Sequence, residues 1–197
     1  MTSPSDRTPV TANAAGTSTL SGAKAPPLPV DDGPARRRVA WFRYGLAAIV
    51  VVLDQITKVW VDRSLELYER RPVTSFFNIT KAYNEGAAFS FLQDAGGWQR
   101  WFFTIVSAVV SVVFVVWLQR MTPRERWLGL AIALILGGAV GNLIDRVIYG
   151  HVVDFIQVYW QDWYFPSFNV ADSAITAGAA ILIFLTLFDK EESAASR

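Results

Sequence analysis

Four long apolar runs dominate this chain, near 40–61, 99–118, 127–148 and 170–188. Each has the roughly 20 mostly apolar residues that crossing a bilayer requires. Hydrocarbon offers no partner to backbone polar groups, so spanning segments of this kind must be helices. The expected fold is therefore an all-α membrane protein, a bundle of four transmembrane helices. A 52% hydrophobic composition agrees with this, being too apolar for an ordinary soluble domain.

The extramembrane segments refine the picture. S-F-F-N-I-T-K-A-Y-N (75–84) is rich in residues that favour a pleated, half-buried surface, and V-V-D-F-I-Q-V-Y (152–159) reads as extended or as an irregular continuation. A small extramembrane β element on the outer face is expected. Residues 1–35 are rich in Ser, Thr, Ala and Pro, carry no secretory signal, and read as a disordered tail. Residues 36–190 read as the membrane domain and 191–197 as a short cytoplasmic tail.

Orientation follows from basic residues in short loops. Arg36, Arg37 and Arg38 precede the first run, and Arg120, Arg124 and Arg126 link the second to the third. The segment 149–168 has no Lys or Arg. Both termini are thus expected in the cytoplasm. Trp98, Trp101, Trp160, Trp163 and Tyr164 fall where an outer aromatic belt belongs.

Composition also excludes chemistry. The chain has no cysteine, so thiol nucleophiles and disulfides are out. A single histidine, His151, disfavours His-rich metal sites and reads as a surface residue; no metal or cofactor is expected. A formal net charge of +1 gives no nucleic-acid footprint.

With this topology the notable polar residues fall at one level, the outer interface. Asp54 and Lys58 lie in the outer half of span one, and Asn84 and Gly86 in the loop entering span two. Asn142, Asp145 and Arg146 end span three, Asp154 follows it, and Asn169 and Asp172 open span four. An ionised Asp at a helix centre costs roughly 2.5–3.5 kcal/mol on insertion scales, so such residues mark function. Asn142 and Arg146, four apart, share a helix face. Gly138 and Gly141 keep that helix narrow, and Gly137 with Gly141 forms a small-x-x-x-small face. Asn169 resembles an N-cap three residues before Asp172. The positive end of the helix dipole favours a charged carboxylate at Asp172. If the last two helices bring Asp154 and Asp172 together, the pair holds one proton in common. That supplies base and acid at once, and water is the nucleophile.

Other readings follow from local context. Asp54 suits a buried hydrogen-bonding role, and Lys58 either snorkels or pairs with Asp54 at i,i+4. Asp145 and Arg146 fit a structural ion pair, a headgroup anchor or a substrate contact; Arg146, on Asn142's face, is assigned to the site. Asp62, Asp94 and Asp162 read as loop acids or caps, and Asp189 as a helix-end charge. A proton-relay reading fits poorly, because the inner halves of spans two to four are apolar. A docking adaptor would leave the acid pair without purpose.

Five stretches carry a family resemblance: D-Q-I-T-K (54–58), A-Y-N-E-G-A-A-F-S (82–90), G-G-A-V-G-N-L-I-D-R (137–146), G-H-V-V-D-F-I (150–156) and F-P-S-F-N-V-A-D-S-A-I (165–175). In this order the chain closely resembles the bacterial lipoprotein signal peptidases, or signal peptidase II. The resemblance implies an aspartic endopeptidase of the cytoplasmic membrane. It would cut prolipoproteins before a diacylglyceryl-modified cysteine, with its active site at the outer face. It implies a catalytic dyad of Asp154 and Asp172. Asn84, Gly86, Asn142, Arg146 and Asn169 would line the site, with Asp54 and Asp145 in support. Membrane lipids are expected neighbours, globomycin-like cyclic peptides would occupy the same cleft, and the enzyme is expected to be a monomer.

Overall fold

The computed structural model describes residues 33–86 and 98–195, with backbone alone for 189–195. The expected tail, save its last three residues, and Asp94 lie outside the described residues. Four helices and four strands follow in the order α1 (Gly33–Ser64), β1 (Arg70–Thr74), β2 (Phe77–Asn84), α2 (Trp98–Arg120), α3 (Arg126–Ile148), β3 (Val152–Trp160), β4 (Trp163–Tyr164) and α4 (Val170–Ala195). All four helices are long and apolar enough to cross a membrane.

Two helices outrun their apolar runs. α1 begins at Gly33, with Pro34 in its first turn, where a missing N–H costs nothing. Its 32 residues rise about 48 Å, against about 30 Å of hydrocarbon, so polar ends protrude. α4 continues past Asp189 to Ala195, so that residue lies within the helix and does not end it.

α3 is the central helix and packs against α1, α2 and α4. Its apolar span is 56% buried, against 22% or less for the other three. Small residues make this possible. A Cβ at Gly137 would meet Val50 Cβ at 2.7 Å and Ala47 O at 2.8 Å, and one at Gly141 would meet Asp54 Oδ2 at 2.6 Å. Those two glycines thus form the narrow face against α1. Gly138 faces α4, where a Cβ would collide with the Ala171 carbonyl oxygen. The outward faces of α1, α2 and α4 carry exposed Ile49, Val52, Ile56, Val109, Val112 and Ile183, a surface suited to lipid.

At one end of the bundle, Arg43 is buried and donates from Nη2 to Thr122 O and Glu125 O, both at 3.0 Å, in the α2–α3 loop. Arg36 donates to Arg120 O there as well. The arginines that set the expected orientation therefore gather at this end.

The opposite end carries an antiparallel sheet of order β1-β2-β3-β4. The β2–β3 register pairs Ala82 with Asp154, Tyr83 with Val153 and Asn84 with Val152. Side chains alternate across a strand, so Asn84 and Asp154 share one face while Tyr83 and Val153 share the other. On that second face Val153 and Phe155 pack against Val61 of α1. Lys81 fixes the sheet to α1 by donating to Asp62 O (2.8 Å) and Leu65 O (3.2 Å). These are carbonyls that the helix end leaves without partners.

Candidate active site

Asp154 sits on β3, within the stretch expected to be extended; this strand, and not the third helix, carries it to the start of α4, which corrects the expectation that the last two helices bring the acids together. The chain after β4 runs back along β3. Phe168 O accepts from Phe155 N (3.0 Å) and Ile156 N (2.8 Å), and Phe168 N donates to Ile156 O (3.0 Å). That pairing delivers the next residue, Asn169, beside Asp154. A strand and the start of α4 thus bring the pair together.

Asn169 is fully buried and ties the two acids to each other. Its Nδ2 donates to Asp154 Oδ1 at 2.7 Å, while its Oδ1 accepts from Asp172 N at 2.9 Å. Asn169 N in turn donates to Asp172 Oδ2 at 3.3 Å. This reciprocal arrangement is a capping box, in which residues three apart satisfy each other's helix-end groups. The expected N-cap is present and is shared with the site.

Two further amides complete the surround. Asn84 Nδ2 donates to Asp154 Oδ2 at 3.0 Å, and Asn142 Nδ2 donates to Asp172 Oδ1 at 2.7 Å. Each asparagine has its Oδ1 held by another donor, so its amide points one way. For Asn84 that donor is Gly86 N at 2.9 Å. Gly86 has φ of +125°, a backbone region that side-chain-bearing residues rarely enter, so the turn that orients Asn84 needs glycine. For Asn142 the principal donor is Lys58 Nζ at 2.9 Å.

Asp154 is only 3% exposed. Burial, and next the Asp172 carboxylate beside it, push its carboxyl from 3.8 up to about 7, despite the donors Asn84 and Asn169 and the nearby Lys58.

Asp54, Asp145 and Lys58 form a buried network behind these residues. Lys58 Nζ lies 2.7 Å from Asp54 Oδ2 and 3.0 Å from Asp145 Oδ2. Asp54 Oδ1 accepts from Ala171 N at 2.9 Å, which secures the first turn of α4. Asp145 Oδ2 accepts from Val153 N at 3.3 Å, which secures the start of β3. Gln55 Nε2 bridges to Asp145 Oδ1 (2.9 Å) and Gly141 O (3.1 Å). Asp145 is therefore in a structural ion pair, one of the readings its context allowed, with Lys58 as the partner. Lys58 is 2% exposed and does not snorkel. Sequence reasoning left Lys58 and Gln55 off the site. The available signal was a lysine inside an apolar helix at the same depth as a second acid, Asp145.

Arg146 lies over the Phe103 ring at 5.4 Å and contacts Asn142 O at 3.4 Å. Its Nε is buried without a hydrogen-bond partner among the described residues. A half-buried guanidinium with a spare donor near two carboxylates is suited to receive a carbonyl or carboxylate oxygen.

His151 is not a plain surface residue. Its ring lies 3.9 Å from that of Tyr83, and burial lowers its imidazole below the ordinary 6.5. Asp62 is in the last turn of α1, 3.0 Å from Lys81 Nζ, with Tyr83 Oη donating to it at 2.9 Å. A cavity of about 240 Å³ lies on this side of the strands, with Lys58, Asp62, Asp145 and His151 in its walls but neither Asp154 nor Asp172. No group of three or more His, Asp or Glu side chains among the described residues is placed to share a metal ion.

Four membrane-length helices that gather buried carboxylates and amides at one end define a polytopic membrane enzyme. Comparison with known proteins narrows this. The model of the family described as signal peptidase (SPase) II matches residues 46–188, and the chain belongs to that family. It is 56% identical to a lipoprotein signal peptidase of Cellvibrio japonicus over 146 residues, 73% of this chain and 84% of the relative. It is 52% identical to that of Pseudomonas syringae pv. tomato over 158 residues, 79% of this chain and 90% of the relative. Among solved structures it resembles one titled a bacterial membrane enzyme structure by the in meso method at 2.3 Å resolution. That likeness has a TM-score of 0.68 at 33% identity and covers 77% of this chain and 90% of the other.

Proposed function

We propose that this signal peptidase removes signal peptides from prolipoproteins by cutting before a diacylglyceryl-modified cysteine, with Asp154 and Asp172 as its catalytic dyad. The observation that carries the reading is the Asn169 bridge, which binds both acids within one hydrogen-bonded unit.

The two acids differ in a useful way. Asp172 accepts hydrogen bonds on both oxygens at the N-terminal end of α4, where the helix dipole favours negative charge. Asp154, buried and held near 7, is suited to carry the shared proton. In the proposed reaction Asp172 takes a proton from a bound water, whose oxygen attacks the scissile carbonyl carbon. Asp154 gives its proton to the carbonyl oxygen. On collapse of the tetrahedral intermediate, the nitrogen leaves with the proton held by Asp172, and the intermediate's hydroxyl returns a proton to Asp154. Both acids end as they began. Arg146 and Asn84 hold the substrate backbone. Asp54 and Asp145 support the dyad through α4 and β3.

Two tethers orient the substrate. The signal helix lies among the spans, and the diacylglyceryl group holds the cysteine at the interface, so the scissile bond arrives aligned. The site faces outward and both termini lie in the cytoplasm, a reading supported by the arginines at the opposite end of the bundle. On this reading the enzyme acts as a monomer in the bacterial cytoplasmic membrane, and globomycin-like peptides compete at the dyad.

The test uses purified protein with a precursor carrying or lacking the lipid. The lipidated precursor is cut before cysteine and the unmodified one is not. Asp154→Asn and Asp172→Asn fold but release no signal peptide. Full activity in either variant overturns the dyad.

A further inference from the structure

Of the three asparagines that serve the dyad, only Asn142 is oriented by a charged group. From this we infer that Lys58 is a positioning residue for the reaction, locking the Asn142 amide so that its NH2 group can point only at Asp172. The inference rests on the proposed role of Asp172.

The lock follows from donor and acceptor chemistry. A lysine ammonium has three donors and no acceptor, and an ionised carboxylate only accepts. Lys58 Nζ spends its three donors on Asp54 Oδ2 (2.7 Å), Asn142 Oδ1 (2.9 Å) and Asp145 Oδ2 (3.0 Å). Lys58 and its two acids are nearly solvent-free, so no water replaces a lost partner cheaply. A flip of the Asn142 amide would set NH2 against the ammonium and oxygen against Asp172, repulsive at both ends. Without Lys58, the remaining donor to Asn142 Oδ1 is the second N–H of Asn169 Nδ2, long at 3.3 Å and shared with Val153 O at 3.4 Å, the first N–H being held by Asp154 at 2.7 Å. The amide would then keep Asp172 at one end but lose its strong donor at the other, and would be held less firmly. Asn84 and Asn169 need no such lock, since backbone N–H groups hold their oxygens.

The competing explanation is charge compensation, in which Lys58 merely neutralises the buried Asp54 and Asp145. One variant separates the two. Lys58→Met leaves two buried carboxylates uncompensated and is expected to lose stability. Lys58→Met/Asp54→Asn removes one charge of each sign and restores the net charge of the cluster; the amide at position 54 can still accept from Ala171 N, and Asp145 keeps Gln55 Nε2 and Val153 N as donors.

The experiment measures kcat, KM and thermal stability of the full chain in detergent or liposomes with a lipidated precursor. Expected for Lys58→Met/Asp54→Asn is stability above that of Lys58→Met alone, with kcat still reduced on the order of 10²-fold, the scale for a misplaced catalytic group, and KM little changed. Expected for Lys58→Met added to Asn142→Ala is no loss beyond that of Asn142→Ala alone. Recovery of kcat together with stability, or multiplicative losses in the second pair, overturns the lock. Asp172→Asn is assayed alongside. If it is fully active, the dyad reading fails first. If it is inactive while Lys58→Met/Asp54→Asn turns over normally, only the inference about Lys58 fails.

Discussion

Asn169 holds two jobs in one side chain, and two substitutions separate them. It caps α4 through Asp172 N and donates to Asp154 Oδ1. Asn169→Ala removes both. Losing an N-cap costs about 1 kcal/mol. Leaving a buried acceptor with one donor fewer adds about 1–3 kcal/mol. The expected deficit is about 2–4 kcal/mol. Asn169→Asp keeps the cap, since Asp and Asn cap equally well. It also replaces the donor 2.7 Å from Asp154 with a third carboxyl. At low pH that carboxyl shares a proton with its neighbour; at high pH like charges repel. The Asp variant should therefore be the more stable of the two near about pH 5 and the less stable near about pH 8.5. Unfolding in detergent micelles at the two pH values gives both orders. The same order at both would refute the claim that Asn169 serves helix and dyad together.

Three further expectations follow from the same contacts. Because burial and Asp172 hold the Asp154 carboxyl at about 7 against 3.8, its proton stabilises the fold fully below 3.8, and that contribution is lost as pH rises through about 7. Asp154→Asn should therefore gain stability relative to the parent across that window, by about 4 kcal/mol at most, while releasing no product; a difference that does not change with pH in unfolding titrations counts against the raised value. Gly138→Val drives a side chain into the Ala171 carbonyl and should cost about 1–3 kcal/mol and most of the activity, checked by unfolding and turnover. Arg146→Ala should raise KM about tenfold, about 1.4 kcal/mol, with little loss of stability; unchanged kinetics with poor folding would make Arg146 structural.

The helices were legible because hydrocarbon leaves a spanning chain no alternative. The N-cap at Asn169 was legible because its partner is three residues away. That Asp154 lies in an extended stretch was legible; that the stretch is a regular strand and not an irregular continuation was harder to read. β3 is buried on both faces over Val152–Phe155, so the alternation that marks a half-buried strand is missing there. The role of Lys58 was hidden for a different reason. Its i,i+4 partner Asp54 is visible in the sequence, but Asn142 and Asp145 lie on another helix. The glycines at 137 and 141 let α1 and α3 approach closely enough to join them. Asp145 and Arg146 are adjacent in sequence, yet neighbours on a helix point in different directions, so one meets Lys58 and the other lies over Phe103.

The shared proton is best tested at the carboxyl itself. Infrared titration of the Asp154 carboxyl in the purified enzyme should give a midpoint of about 7, and the midpoint should fall when Asp172→Asn removes the neighbouring charge. A midpoint near 3.8 in the parent, or one that the Asp172 substitution leaves unmoved, would contradict the dyad.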